Sequence, residues 1–211
     1  MSILTVRYTF DAMPRYADTR GRIIQAASKL FYAEGIGRVS VDAVAEKAGV
    51  TKRTLYYHFE SKDDLVAAYL DARDQPNLTQ MARWFADAEG GTGEKVAAIF
   101  VSLARSARHP KWKGCGFLRT TAELAAMPGH PAVKFGARHK SAFASWLAEE
   151  LELGGFEDPQ ALARRILLLL DGAFSASLVH RDASWFEDAG FAARALVESH
   201  PRKQGDQQGQ A

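Results

Sequence analysis

Residues 40–62, SVDAVAEKAGVTKRTLYYHFESK, constrain the fold of this chain more than any other stretch. A hydroxyl residue opens a short run with apolar residues at helical spacing, Gly49 and Val50 interrupt it, and Thr51 opens a second short run. The pattern predicts helices over Ser40–Ala48 and Thr51–His58, with Val44, Ala45, Ala48, Val50, Leu55 and Phe59 forming a common apolar side. Two short helices joined by so tight a turn make a helix-turn-helix. Such a unit delivers the first turns of its second helix to the major groove of DNA.

The chemistry of the second helix suits that task. No acidic residue occurs between Gly49 and Phe59, whereas Thr51, Lys52, Arg53, Thr54, Tyr56, Tyr57 and His58 offer hydroxyls, cations and an imidazole. Cations can donate to guanine O6 and N7, and hydroxyls to phosphate oxygens. Leu55 alone is expected to point inward. Ser40 is expected to cap the first of these two helices, and its hydroxyl is also a candidate phosphate contact. A solvated amphipathic helix satisfies the same spacing, so the spacing by itself leaves both readings open.

The run TLYYHFESKDDL, together with SVDAVAEKAGV before it and an amphipathic helix upstream, resembles the DNA-binding domain of the TetR family of bacterial transcriptional regulators. The resemblance covers about the first third of the chain. It implies an all-helical homodimer whose larger C-terminal domain binds a small molecule and controls release of a double-stranded DNA operator. By the same resemblance, Tyr56, His58 and Lys62 match positions that engage phosphates, and Lys52, Arg53, Thr54 and Tyr57 match positions that mix phosphate and base contacts. Arg53 stands where many relatives carry a small residue, which marks it as a candidate specificity contact of this chain.

Charge adds little by amount. Residues 18–66 hold eight Lys and Arg against seven Asp and Glu, a net of +1, so the placement of cations carries the argument. Cys115 is the only cysteine, which rules out a disulfide within the chain and suits a cytoplasmic protein. The aliphatic run Ile166 to Leu170, like every other apolar run in the chain, is far below the ~20 residues that cross a bilayer, so no membrane association is expected. No nucleophile elbow, phosphate loop or metal-protease motif occurs, and His109, His130 and His139 lack metal-ligand spacing. The expectation is a protein that is not an enzyme and has no cofactor or metal.

Taken in order, the chain predicts an all-α fold. Residues 1–17 are expected to be a flexible arm, with Arg7, Arg15 or Arg20 as candidate DNA contacts. Residues 18–61 form the DNA-binding domain, its first helix running from Thr19 to Ala33 with Ile23, Ala27, Leu30 and Phe31 inward. Residues 62–200 form the effector and dimerisation domain, and 201–211 a disordered tail. A helix from Ser61 should join the two domains and stop at Pro76-Asn77. Further helices are expected over Leu78–Ala88, Glu94–Arg108, Gly116–Ala126, His130–Leu153, Pro159–His180 and Ser184–Ser199.

The larger domain is rich in big apolar residues, which can line a cavity as well as fill a core. Phe100, Leu103, Phe117, Thr121, Phe143, Trp146, Leu170 and Phe174 are the expected effector-binding residues, with Arg119, Glu123 and Ser175 as further polar candidates. The effector is expected to be apolar or aromatic, since no buried counter-charge for an ionic ligand is evident. RRILLLLDGAFSASLV is apolar around more of its circumference than one buried face needs. It and the last helix are therefore expected to form a four-helix dimer interface. The function expected is a ligand-responsive dimeric regulator, a repressor that a small molecule releases from an inverted-repeat operator. The alternative is a helical small-molecule or redox sensor that acts through a protein partner.

Overall fold

The computed structural model describes residues 19–127 and 129–203. Among them the chain forms α1 (Thr19–Glu34), α2 (Val41–Ala48), α3 (Lys52–His58), α4 (Lys62–Ala86), α5 (Thr92–Ala107), α6 (Gly116–Glu123), α7 (Pro131–Leu153), α8 (Pro159–His180) and α9 (Ser184–Glu198). No strand occurs among the described residues beyond one isolated bridge between Phe156 and Arg202. Arg7 and Arg15, expected as arm contacts, lie outside the described residues.

Local signals place the first helix ends. Ser40, Thr51 and Ser61 each adopt extended backbone and accept a hydrogen bond from the amide three residues on, at Ala43, Thr54 and Asp64. Gly49 closes α2 in the left-handed conformation at φ +66°, and its amide and that of Val50 bond back to carbonyls of the last turn. This tight reversal sets α3 across α2.

The expected break at Pro76 does not occur, because α4 runs unbroken for 25 residues through it. A proline inside a helix removes one N–H and clashes with the preceding turn, at a cost of about 3 kcal/mol or more. Packing on both sides of the proline offsets that cost. Leu65, Val66, Tyr69 and Leu70 are buried with α1–α3, while Met81 and Phe85 are buried with α5, α7 and α8. Beside the proline, buried Asp74 receives His139 Nδ1 at 2.6 Å and Arg138 at 3.4 Å from α7. Helix α6 ends three residues sooner than expected, at Glu123.

Two cores result, and α4 belongs to both. The first gathers Ile23, Ala27, Phe31, Val44, Ala45, Leu55 and Phe59, and it also takes in Phe117 and Leu124 around α6 and Ala132 of α7. The second fills the space among α4, α5, α7, α8 and α9. There α9 lies directly on α5: a side chain at Gly190 would meet Phe100 Cβ at 2.8 Å, and Arg194 pairs with Glu94 at 2.7 Å. The start of the expected tail is tied down, since Lys203 donates its amide to Gly155 and the Pro201 carbonyl accepts from Glu157. Residues 204–211 lie outside the described part.

Candidate nucleic-acid interface

Leu55 is the only buried residue of α3, with no exposed surface. It seats the helix on Val44, Ala45 and Ala48, and this contact decides which side chains face out. Thr51, Lys52, Arg53, Tyr56 and Tyr57 are exposed, and Thr54 and His58 are half-buried at the edge. Tyr57 is 85% exposed and stands edge-on to the His58 imidazole, so a large ring projects into solvent with little to hold it.

Their hydrogen bonds differ. Lys52 donates to Asp42 of α2 at 3.0 Å, and that bond raises its pKa. The pair ties the start of α3 to the start of α2, where Ser40 is also exposed. Thr51 and Thr54 share a hydroxyl–hydroxyl bond of 2.8 Å. Arg53 has no hydrogen bond or ion pair among the described residues. The first turn of α3 carries no carboxylate, so its unpaired amides and dipole favour an anion. Lys62 is half-buried and donates to the Ile36 carbonyl at 2.6 Å, which leaves its other N–H bonds to turn outward.

The unit bearing α3 is also gripped from outside. Gly35, at φ +91°, ends α1 and leaves the next two amides without helical acceptors. Both find Glu123 at the end of α6: its carboxylate accepts from Ile36 N at 3.0 Å and from Gly37 N at 2.5 Å. Arg119 donates to the Tyr32 carbonyl at 2.9 Å, and Tyr32 Oη accepts from the Lys113 amide at 2.9 Å. Glu123 and Arg119, expected among the polar groups of an effector pocket, thus face the DNA-binding unit. Ser175, expected with them, is exposed on α8. Helix periodicity places such residues on a face but does not say which neighbour that face meets.

The eight expected effector residues divide between the two cores. Phe100, Leu103, Phe143, Leu170 and Phe174 are buried together in the second, with Trp146 half-buried against Phe85 and Phe143. Phe117 joins the first core and stacks on His139 with ring centroids 3.8 Å apart. Thr121 has a buried hydroxyl with no hydrogen-bond partner. A cavity of about 390 Å³ opens elsewhere, between the connection from α5 to α6 and the end of α8, and none of the eight lines it. Much of its lining comes from HPKWKG at 109–114, where cations flank a tryptophan and a proline and a glycine favour a turn.

Helices α8 and α9 expose three large apolar side chains: Leu168 is 72% exposed, Val179 73% and Phe191 77%. Among the described residues, no helix is long and apolar enough to cross a membrane, and no three His, Cys, Asp or Glu side chains gather to hold a metal. Cys115 is a free, half-buried thiol at the start of α6.

Residues 23–69 match the family described as "Bacterial regulatory proteins, tetR family". Over 55 residues the chain is 46% identical to the HTH-type transcriptional regulator TtgR of Pseudomonas putida, a match that spans only 26% of either protein. It is 23% identical to the HTH-type transcriptional regulator YjdC of Escherichia coli over 88% of this chain and 97% of that one. The crystal structure of SCO4454, a TetR-family transcriptional regulator from Streptomyces coelicolor, superimposes with a TM-score of 0.75 at 32% identity, covering 85% of this chain and 94% of that one. Likeness of that extent reaches well beyond the helix-turn-helix, and with an outward α3 in place the chain belongs to the TetR family of bacterial transcriptional regulators.

Proposed function

We propose that this regulator is a cytoplasmic repressor that binds an inverted-repeat operator as a homodimer and leaves it when a small molecule binds its larger domain. The observation that carries the reading is the outward face of α3, where Arg53 stands exposed, without a partner among the described residues, beside Lys52, Tyr56 and Tyr57. Arg53 reads a base edge, Lys52, Thr54 and Tyr57 divide between bases and phosphates, and Ser40, Thr51, Tyr56, His58 and Lys62 hold the backbone. Residues 18–61 are the reading unit and residues 62–200 the effector and dimerisation unit.

The apolar stripe of Leu168, Val179 and Phe191 supports pairing through α8 and α9, since exposed patches of this kind mark interaction surfaces. An apolar or aromatic effector is taken up where the second core opens, among Phe100, Leu103, Phe143, Trp146, Leu170 and Phe174, while Phe117 packs in the first core and Thr121 lies on α6 beside it. Release then follows from a shift of α4 and α6, the two helices that hold the reading unit.

Selection of random duplexes by the purified protein tests the proposal. The expected product is an inverted repeat with half-sites about one helical turn, ~10 bp, or a multiple of it apart. Arg53→Ala should cost about 1–3 kcal/mol and relax selection at one position, whereas Lys62→Ala should weaken all sequences alike and lower the salt slope by about one. Failure to enrich any sequence refutes the reading.

A further inference from the structure

The cavity at the end of α5 is lined by residues to which no role has been assigned. Ser177 on α8 lines it, and Ser177 is 1% exposed with a hydroxyl that has no hydrogen-bond partner. A buried, unpaired hydroxyl is costly unless a partner arrives. Ala107, Trp112 and Leu178 make the apolar walls. The charged lining is Arg108, Lys113 and Arg181 against Asp182.

Two of these charges are engaged already. Arg108 pairs with Glu187 at 2.5 Å, and Asp182 accepts from the amide and hydroxyl of Ser184, which hold its carboxyl below the usual range. Lys113 and Arg181 have no ion pair among the described residues. Arg181 also sits in the left-handed region at φ 54°, an unfavourable place for a non-glycine residue and one that recurs at ligand clamps. A volume of about 390 Å³ is within the common range of small-molecule sites, ~300–1,000 Å³.

We propose that this cavity binds a small amphiphilic organic acid, its apolar body between Trp112 and Leu178 and its carboxylate between Lys113, Arg181 and the Ser177 hydroxyl. The site is separate from the residues assigned above to an apolar effector. It also faces away from the apolar stripe, because Ser177 follows Leu168 by nine residues, two and a half turns of helix.

The site reaches the DNA-binding unit directly. Lys113 gives its amide to Tyr32 of α1, and the Tyr32 hydroxyl lies 3.4 Å from the Gly114 carbonyl. Gly114, at φ +82°, packs so tightly on Leu178 that a Cβ there would meet its methyl at 2.8 Å. An acid that draws in Lys113 and presses on Leu178 must move this loop, and with it the hold on α1.

Calorimetric titration of the full-length protein with 2-naphthoate, 2-naphthalenemethanol and acetate tests the site without DNA. The expected result is saturable binding of 2-naphthoate at one per chain, with the neutral alcohol and acetate roughly ten-fold weaker or worse. Lys113→Gln, Arg181→Gln and Ser177→Val should each weaken 2-naphthoate with thermal melts showing a folded protein. Tyr32→Phe should bind it normally, but the acid should no longer change that variant's affinity for a selected duplex. Equal binding of the alcohol, no binding of the acid, or indifference to both Lys113→Gln and Arg181→Gln overturns the proposal. Normal coupling in Tyr32→Phe overturns the route to α1. Loss of all sequence-specific DNA binding instead refutes the repressor reading and leaves the calorimetry to decide the site.

Discussion

The Glu123 carboxylate is the contact through which α6 holds the reading unit, and Glu123→Gln tests it directly. In the native protein both carboxylate oxygens face backbone donors, Ile36 N at 3.0 Å and Gly37 N at 2.5 Å. An amide has one acceptor oxygen and presents an NH₂ where the other stood. One bond is therefore lost, the opposing N–H groups repel, and the remaining bond is no longer charge-assisted. Hydrogen bonds to charged groups contribute about 1.5–3 kcal/mol. Glu123 is exposed and solvent screens it, so a loss of about 1–2 kcal/mol is the reasonable expectation. Amide exchange followed by NMR should then accelerate at Ile36 and Gly37 by roughly 5- to 30-fold, while amides in the α5–α9 core keep their protection. Gly37→Ala provides an independent test, because its Cβ would lie 2.9 Å from a Glu123 oxygen and push the carboxylate aside. Unchanged exchange at both amides in Glu123→Gln would show that α6 does not hold the turn in solution.

Two further outcomes follow from the packing. Leu168→Glu or Phe191→Glu should weaken the proposed pairing through α8 and α9: burying three-quarters of a Leu or Phe side chain on each of two copies is worth roughly 2–4 kcal/mol, or about 30- to 700-fold in dimer dissociation constant, readable by sedimentation. An unchanged constant in both variants places the interface elsewhere. Burial lowers the pKa of His139 below its ordinary 6.5 despite the Asp74 carboxylate beside it. The unfolded chain therefore takes up this proton first as pH falls. The stability contribution is complete above about pH 6.5 and declines below it, until the folded state is protonated too. Urea unfolding of His139→Gln at about pH 7.5, 6 and 5 should show a flatter acid limb than the native protein, and parallel curves rule this group out as the cause.

The sequence by itself determined what depends on neighbours within a turn or two of helix. Ser40, Thr51 and Ser61 cap the amide three residues on, Gly49 supplies a left-handed turn, and Leu55 must face inward if the helix it belongs to is to be held at all. The outward set on α3 follows from that one buried residue by helical period. The apolar excess of α8 was visible in the same way, since a helix carrying more apolar surface than its own core can cover leaves residues such as Leu168 and Val179 outside.

Tertiary structure decided the rest, because those outcomes depend on partners distant in the chain. Pro76 is a helix breaker by its own chemistry, yet α4 continues through it since two cores and the Asp74–His139 contact grip the helix on either side. Glu123 and Arg119 are ordinary polar residues until folding brings α6 against α1, more than eighty residues earlier. Phe117 could join either core, and only the position of α6 puts it against His139 beneath the reading unit. The cavity is likewise formed by a turn and a helix end far apart in sequence, where a lone serine hydroxyl gains its meaning from what surrounds it. Periodicity tells each residue which way to face; the energy of long-range packing determines what it meets there.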